Sequence, residues 1–179
     1  MDKLFPPSRR RILAGIATMA LSTGGFAVAQ ANDAAPLRIG VLSDMSSLYA
    51  DIGGPGSLAA AKMAVEDFLA GPHKMKRQIE VLGGDHMNKA DLGVNIAREW
   101  IDRHNVEAII DVPNSSVALA VRNIVQQSNK VILVSGSSSS DLTGKSCSPN
   151  LVHWTYDTYA LSSGTTRAVL AGAARPGSR

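Results

Sequence analysis

Apolar and polar positions along the chain follow two different periods, and the switches between them divide it into strands and helices. Leu37 to Leu42, Ile79 to Leu82, Ala108 to Val112 and Val131 to Val134 are short runs rich in β-branched residues, the composition of strands. The Val131–Val134 run contains no polar residue, so both of its faces are expected to be covered, as in a parallel sheet between helices. Between the runs, apolar residues recur at helical spacing. Ala60, Ala61, Met63, Ala64 and Phe68 do so from about Pro55 to Leu69, and Leu92, Ile96, Ala97, Trp100 and Ile101 from about Lys89 to His104. Val117, Val121, Ile124 and Val125 mark a third helix ending near Ser128. Pro55 suits a first helical turn, Gly71-Pro72 stops that helix, and Gly83-Gly84-Asp85 is expected to stop the second strand. Pro113-Asn114-Ser115-Ser116 ends the third strand and caps the helix after it. Leu151 to Thr155 reads as a fifth strand and Thr158 to Ala173 as a last helix. The order βαβαβαβ with short connections predicts an α/β fold, a doubly wound parallel sheet with helices on both faces.

The loops add a second pattern. The fourth strand stops abruptly in Ser135-Gly136-Ser137-Ser138-Ser139-Ser140, and the first and third end in loops carrying Ser46-Ser47 and Asn114-Ser115-Ser116. In a parallel sheet these carboxyl ends share one edge, where ligands of such sheets bind. Each hydroxyl both donates and accepts hydrogen bonds, so the converging loops suit a polar solute. Tyr49, Tyr156 and Tyr159 would add aromatic walls. Serine loops that merely cap the following segments are the competing reading.

Charge changes the picture only at the amino terminus. Arg9-Arg10-Arg11 precede a short apolar stretch from Ala14 to Val28 and the small residues Ala27-Val28-Ala29-Gln30-Ala31, the pattern of a twin-arginine-like export signal cleaved near Ala31. The stretch is broken by polar residues and is too short for a membrane span of about 20 residues. Residues 1–31 hold four of the 18 bases and one of the 15 acids, so 14 of each remain and nothing favours nucleic acid. The remaining 148 residues suit one core. Cys147 is alone, which rules out an internal disulfide and suits a small packed hydrophobe.

Catalytic and cofactor signatures are weak. Gly54-Pro55-Gly56-Ser57 lies about eleven residues beyond its strand, too far for a dinucleotide fingerprint, and reads as a plain helix start. No Gly-x-Ser-x-Gly elbow surrounds Ser137, which leaves a small α/β hydrolase using Ser137 or Cys147 as a lesser alternative. His73, His86, His104 and His153 lack metal-ligand spacing, and Asp85-His86 reads as a solvated loop. No cofactor or metal is expected.

Taken in order, several stretches resemble the periplasmic solute-binding proteins of ABC transporters of the leucine/isoleucine/valine-binding type. They are Leu37–Leu42 followed by Ser47–Gly53, Ile79–Leu82 with Asp85, Pro113–Ser116, and Val134–Thr143. The resemblance covers about residues 37–165. It implies a type I periplasmic-binding fold, with 32–36 a leader, 37–155 the amino-terminal lobe, and 156–179 a hinge crossing and truncated start of a second lobe. It further implies a monomer in the periplasm that delivers an amino acid, amide or small carboxylate, aromatic ones included, to an inner-membrane ABC permease. A sensory domain reporting the same solute is the alternative. By motif match, Ser115, or Asn114 or Ser116 in a neighbouring register, would hold the ligand carboxylate; Ser137 and Ser138 would hold its polar end, with Tyr49 and Tyr159 alongside. Ile52 and the serine-rich loop depart from the leucine binders, which argues against a leucine-like ligand. A chain with one lobe is expected to bind solute weakly or not at all, because a pocket normally buries most of its ligand; micromolar binding by residues 32–179 would refute that.

Overall fold

The computed structural model describes residues 35–72 and 75–173. The export signal, its cleavage point, most of the leader, His73 and the tail beyond Ala173 lie outside the described residues.

Five strands form one parallel sheet: β1 (Leu37–Ser43), β2 (Ile79–Asp85), β3 (Val106–Asp111), β4 (Val131–Val134) and β5 (Leu151–His153), in the order β2-β1-β3-β4-β5. They alternate with α1 (Gly54–Ala70), α2 (Ala90–His104), α3 (Ser115–Gln127) and α4 (Thr158–Ala173). The sequence-based elements all appear, with shifted ends. β2 runs through Gly83-Gly84 instead of stopping there. A Cβ on Gly84 would come 2.7 Å from Trp100 Cζ2, and one on Gly83 2.7 Å from Leu58 Cδ2. The two glycines therefore let α2 and α1 close on β2 from opposite faces while the strand continues.

The core lies between the sheet and the α2–α3 pair. Leu42, Ile109, Ile132 and Val134 on the strands and Ala97, Val117, Val121 and Val125 on the helices are fully buried. Each such aliphatic side chain contributes roughly 1.5–3 kcal/mol by leaving water. The other face is thinner. α1 lies over β1 and β2 and leaves a cavity of about 600 Å³ against the sheet, lined by Val41, Ala60, Ala61, Ile110, Leu133, Val152 and Trp154. β4 accordingly alternates instead of being covered twice: Ile132 and Val134 are buried, whereas Val131 and Leu133 are 41% and 39% exposed. Its apolar composition anticipated cover on both faces, and only the α2–α3 face has it. Cys147, expected to be packed, is exposed. Among the described residues no helix is long and apolar enough to cross a membrane.

Candidate functional site

The strand order reverses at β1, which has β2 on one side and β3 on the other. In open parallel sheets this switch point, at the carboxyl ends, is where a crevice forms. A cavity of about 590 Å³ opens there, bounded by the loops after β1, β3 and β4 and by the segment after β5. Tyr49, Ile52, Gly53, Ser57, Asp111, Asn114, Ser115, Ser135, Ser138 and Tyr156 line it. Three hydroxyl-bearing loops do converge, but only some of their hydroxyls face the opening.

Ser115 begins α3, lines the cleft and makes no hydrogen bond with its hydroxyl among the described residues. Asn114 lines the cleft too, but its Oδ1 caps the helix, accepting from Ser116 N at 2.9 Å and Val117 N at 3.1 Å. Ser116 is exposed, lies outside the cleft, and donates its Oγ proton to the same Asn114 oxygen at 2.6 Å. Ser138 lines the cleft with an uncommitted hydroxyl. Ser137 does not: it is fully buried, and its Oγ donates to Val112 O at 2.5 Å. Its own carbonyl accepts from His153 Nε2 at 2.6 Å. Tyr49 stands at the mouth, 45% exposed, whereas Tyr159 is 70% exposed on α4 and away from the lining; Tyr156 takes that position.

Ser46 and Ser47 turn away from the cleft as well. Ser46 Oγ donates to Asp85 Oδ2 and Ser47 Oγ to Asp44 Oδ2. Asp44, fully buried, also accepts from Ser47 N, Tyr49 N and Asn88 Nδ2 at 2.7–2.9 Å. Asn88 in turn accepts from Asn114 Nδ2 at 3.2 Å, so a hydrogen-bonded chain runs from the β1 loop to the start of α3 and positions Ser115. Burial works to raise the Asp44 pKa, but the Ser47 hydroxyl, the Tyr49 and Ser47 amides and nearby His86 outweigh it and hold the carboxyl below its ordinary value. Asp85 is lowered in the same way. Burial, with a smaller upward push from the like charge of Asp44, is outweighed there by the Ser46 hydroxyl and the Met45 and Met87 amides. His86, read from sequence as part of a solvated loop, is fully buried. Burial lowers its pKa against the pull of Asp44, Asp85 and Asp111, and its Nδ1 accepts from Asn88 N at 3.0 Å. No group of residues able to hold a metal occurs among the described residues.

Sequence reasoning missed Asp111, treating it as the interior of a strand. It ends β3 with φ of +78°, followed by Val112 at +51°, left-handed values that non-glycine residues adopt at an energetic cost and that cluster at functional sites. Its Oδ1 accepts from Ser135 Oγ at 2.9 Å. Its Oδ2 is shut off from solvent without a hydrogen-bond partner. The available signal was an acid directly after the apolar run Ala108-Ile109-Ile110.

The geometry agrees with comparisons to known proteins. The sequence profile of a family described as periplasmic binding protein matches residues 36–177. A periplasmic binding protein from Burkholderia mallei is 41% identical over 78% of this chain, with a TM-score of 0.72. A branched-chain amino acid ABC transporter periplasmic ligand-binding protein from Burkholderia xenovorans is 34% identical over 76%, with a TM-score of 0.69. A Rhodopseudomonas palustris solute-binding protein of an ABC transporter, solved with benzoate, is 18% identical over 77%, with a TM-score of 0.66, and shares the fold. This chain spans 37%, 36% and 38% of those three chains. No curated protein matches it.

Proposed function

The chain belongs to the periplasmic binding protein family, and we propose that it is a non-catalytic, extracytoplasmic solute-binding component of an ABC transporter. On this reading residues 37–155 form one lobe, 156–179 begin a crossing to another, and the monomer presents its solute to an inner-membrane permease. The solute is an amino acid, amide or small carboxylate. The observation that carries the reading is the switch-point cleft, where the free hydroxyls of Ser115 and Ser138 and the ring of Tyr49 meet. The start of α3 favours an anion through its helix dipole and its free amide at Ser115, so a carboxylate fits there. Ser137 is poorly placed as a hydrolytic nucleophile, because its hydroxyl is buried and already donates to Val112 O.

On the same reading the 37–155 lobe contributes one wall of the cleft, so binding in the millimolar range is expected and the method must detect it. Titration of the ¹⁵N-labelled full chain with L-leucine, L-phenylalanine and their deaminated acids should shift amides of residues 49–53, 111–116 and 135–138. Ser115→Ala should weaken binding about tenfold, the worth of a hydrogen bond to a charged group. Shifts from none of the compounds, or shifts confined to the opposite sheet edge, would overturn the proposal.

A further inference from the structure

We propose that Asp111 is the specificity-determining residue of the cleft, favouring solutes that present an ammonium group over plain carboxylates. This rests on the solute-binding reading above and adds a discrimination to it.

Strand alternation would place Asp111, like Ile109 and like Leu42 with which Asp111 pairs, on the face toward α2 and α3. With φ of +78° it instead lines the cleft together with Ser57 of α1. The strained backbone thus carries a carboxylate out of the core register and into the switch point. Ser135 Oγ satisfies Oδ1 at 2.9 Å and fixes the carboxylate's orientation. Oδ2 meets neither solvent nor a donor, and the Ser57 hydroxyl near it is also uncommitted. A methyl placed on Gly53 would lie 3.3 Å from Ser57 Oγ, 3.5 Å from Ser43 Oγ and 3.7 Å from Asp111 Oδ2, which puts the three oxygens on one side of that glycine.

A carboxylate oxygen removed from water needs a strong donor, and charged groups are buried in proteins only when paired. No lysine or arginine lines the cleft. Two carbonyls of the β4 loop are already engaged: that of Ser137 by His153 Nε2 at 2.6 Å and that of Ser138 by Thr158 N at 2.7 Å. A solute ammonium donating to Ser57 Oγ would lie beside the negative charge of Asp111 while its carboxylate meets Ser115. A solute bearing only a carboxylate gains nothing from Oδ2 and places like charge near it, so Asp111 selects by attraction and by repulsion.

Two matched pairs test this by NMR titration of the full chain: L-phenylalanine against 3-phenylpropanoate, and L-leucine against 4-methylpentanoate. The amino member of each pair should bind about ten- to a hundredfold more tightly, the range for a charge-assisted hydrogen bond. Asp111→Asn, which keeps the shape and removes the charge, should bring each ratio close to one by weakening the amino member. Ser115→Ala should instead weaken both members alike and leave the ratio intact. Equal binding within the wild-type pairs, or ratios unchanged by Asp111→Asn, would overturn the role of Asp111 while leaving the solute-binding reading standing. Shifts from none of the four compounds would overturn both.

Discussion

The two ends of the rim carry the same residue types and treat them in opposite ways. On the β1–β2 side, Asp44, Asp85, Ser46, Ser47 and Asn88 bond to one another and to backbone amides until every carboxylate oxygen there has a partner. On the β3–β4 side, Asp111 keeps a buried oxygen without a hydrogen-bond partner, and Ser115 and Ser138 keep free hydroxyls at the cleft. The first arrangement holds the loops in place, and the second is left for a solute. A loop's role therefore follows from how fully its polar groups are satisfied internally, and its content of serine and aspartate says little about it.

The contrast can be broken most severely at Asp44. Asp44→Ala empties a buried acceptor and leaves the part-buried donors of Ser47, Tyr49 and Asn88 unpaired, and should cost about 2–4 kcal/mol of stability. Urea unfolding followed by circular dichroism measures it; a loss under about 0.5 kcal/mol would remove the structural role assigned to that side. The next effect separates neighbouring serines. Ser137→Ala deletes a buried bond to Val112 O and should cost about 1 kcal/mol, whereas Ser138→Ala should leave stability within about 0.5 kcal/mol. Equal losses would mean that the two hydroxyls are not differently used.

The smallest effect is a pH dependence. His86, Asp44 and Asp85 all have folded pKa values below their ordinary ones, so the unfolded chain takes up protons first as pH falls. The stability they contribute is whole at neutral pH. It begins to fall below the ordinary histidine value of 6.5 and falls further below the ordinary carboxyl value of 3.8. Melting temperatures across that range should decline in two stages, and His86→Gln should remove the upper stage alone. A profile unchanged by His86→Gln would show that the ring titrates alike in both states.

Elements were easier to read from the sequence than their environments. Asn114 was legible as a cap because a side-chain acceptor two and three residues ahead of the amides it serves is a local arrangement. The path of β2 through Gly83-Gly84 was not, since it depends on Trp100 and Leu58 arriving from distant helices. The cover of β4 was misread for a related reason: Val131 and Leu133 are as apolar as Ile132, and only the reach of α1 decides that they stay exposed. Within the site, Ser115 and Ser138 lie where the loop pattern put them. Ser137 and Tyr159 turned elsewhere, and Asp111 came into the cleft through a left-handed backbone that no local motif announced.

By itself the amino-acid order determined which segments become strands and helices, and that three polar loops share one edge of the sheet. Periodicity and turn chemistry act over a few residues, and parallel pairing then aligns every carboxyl end. Which hydroxyls and carboxylates remain free was decided only by tertiary structure, because a polar group's availability depends on partners distant in the chain, as Asn88 is from Asp44, 44 positions away.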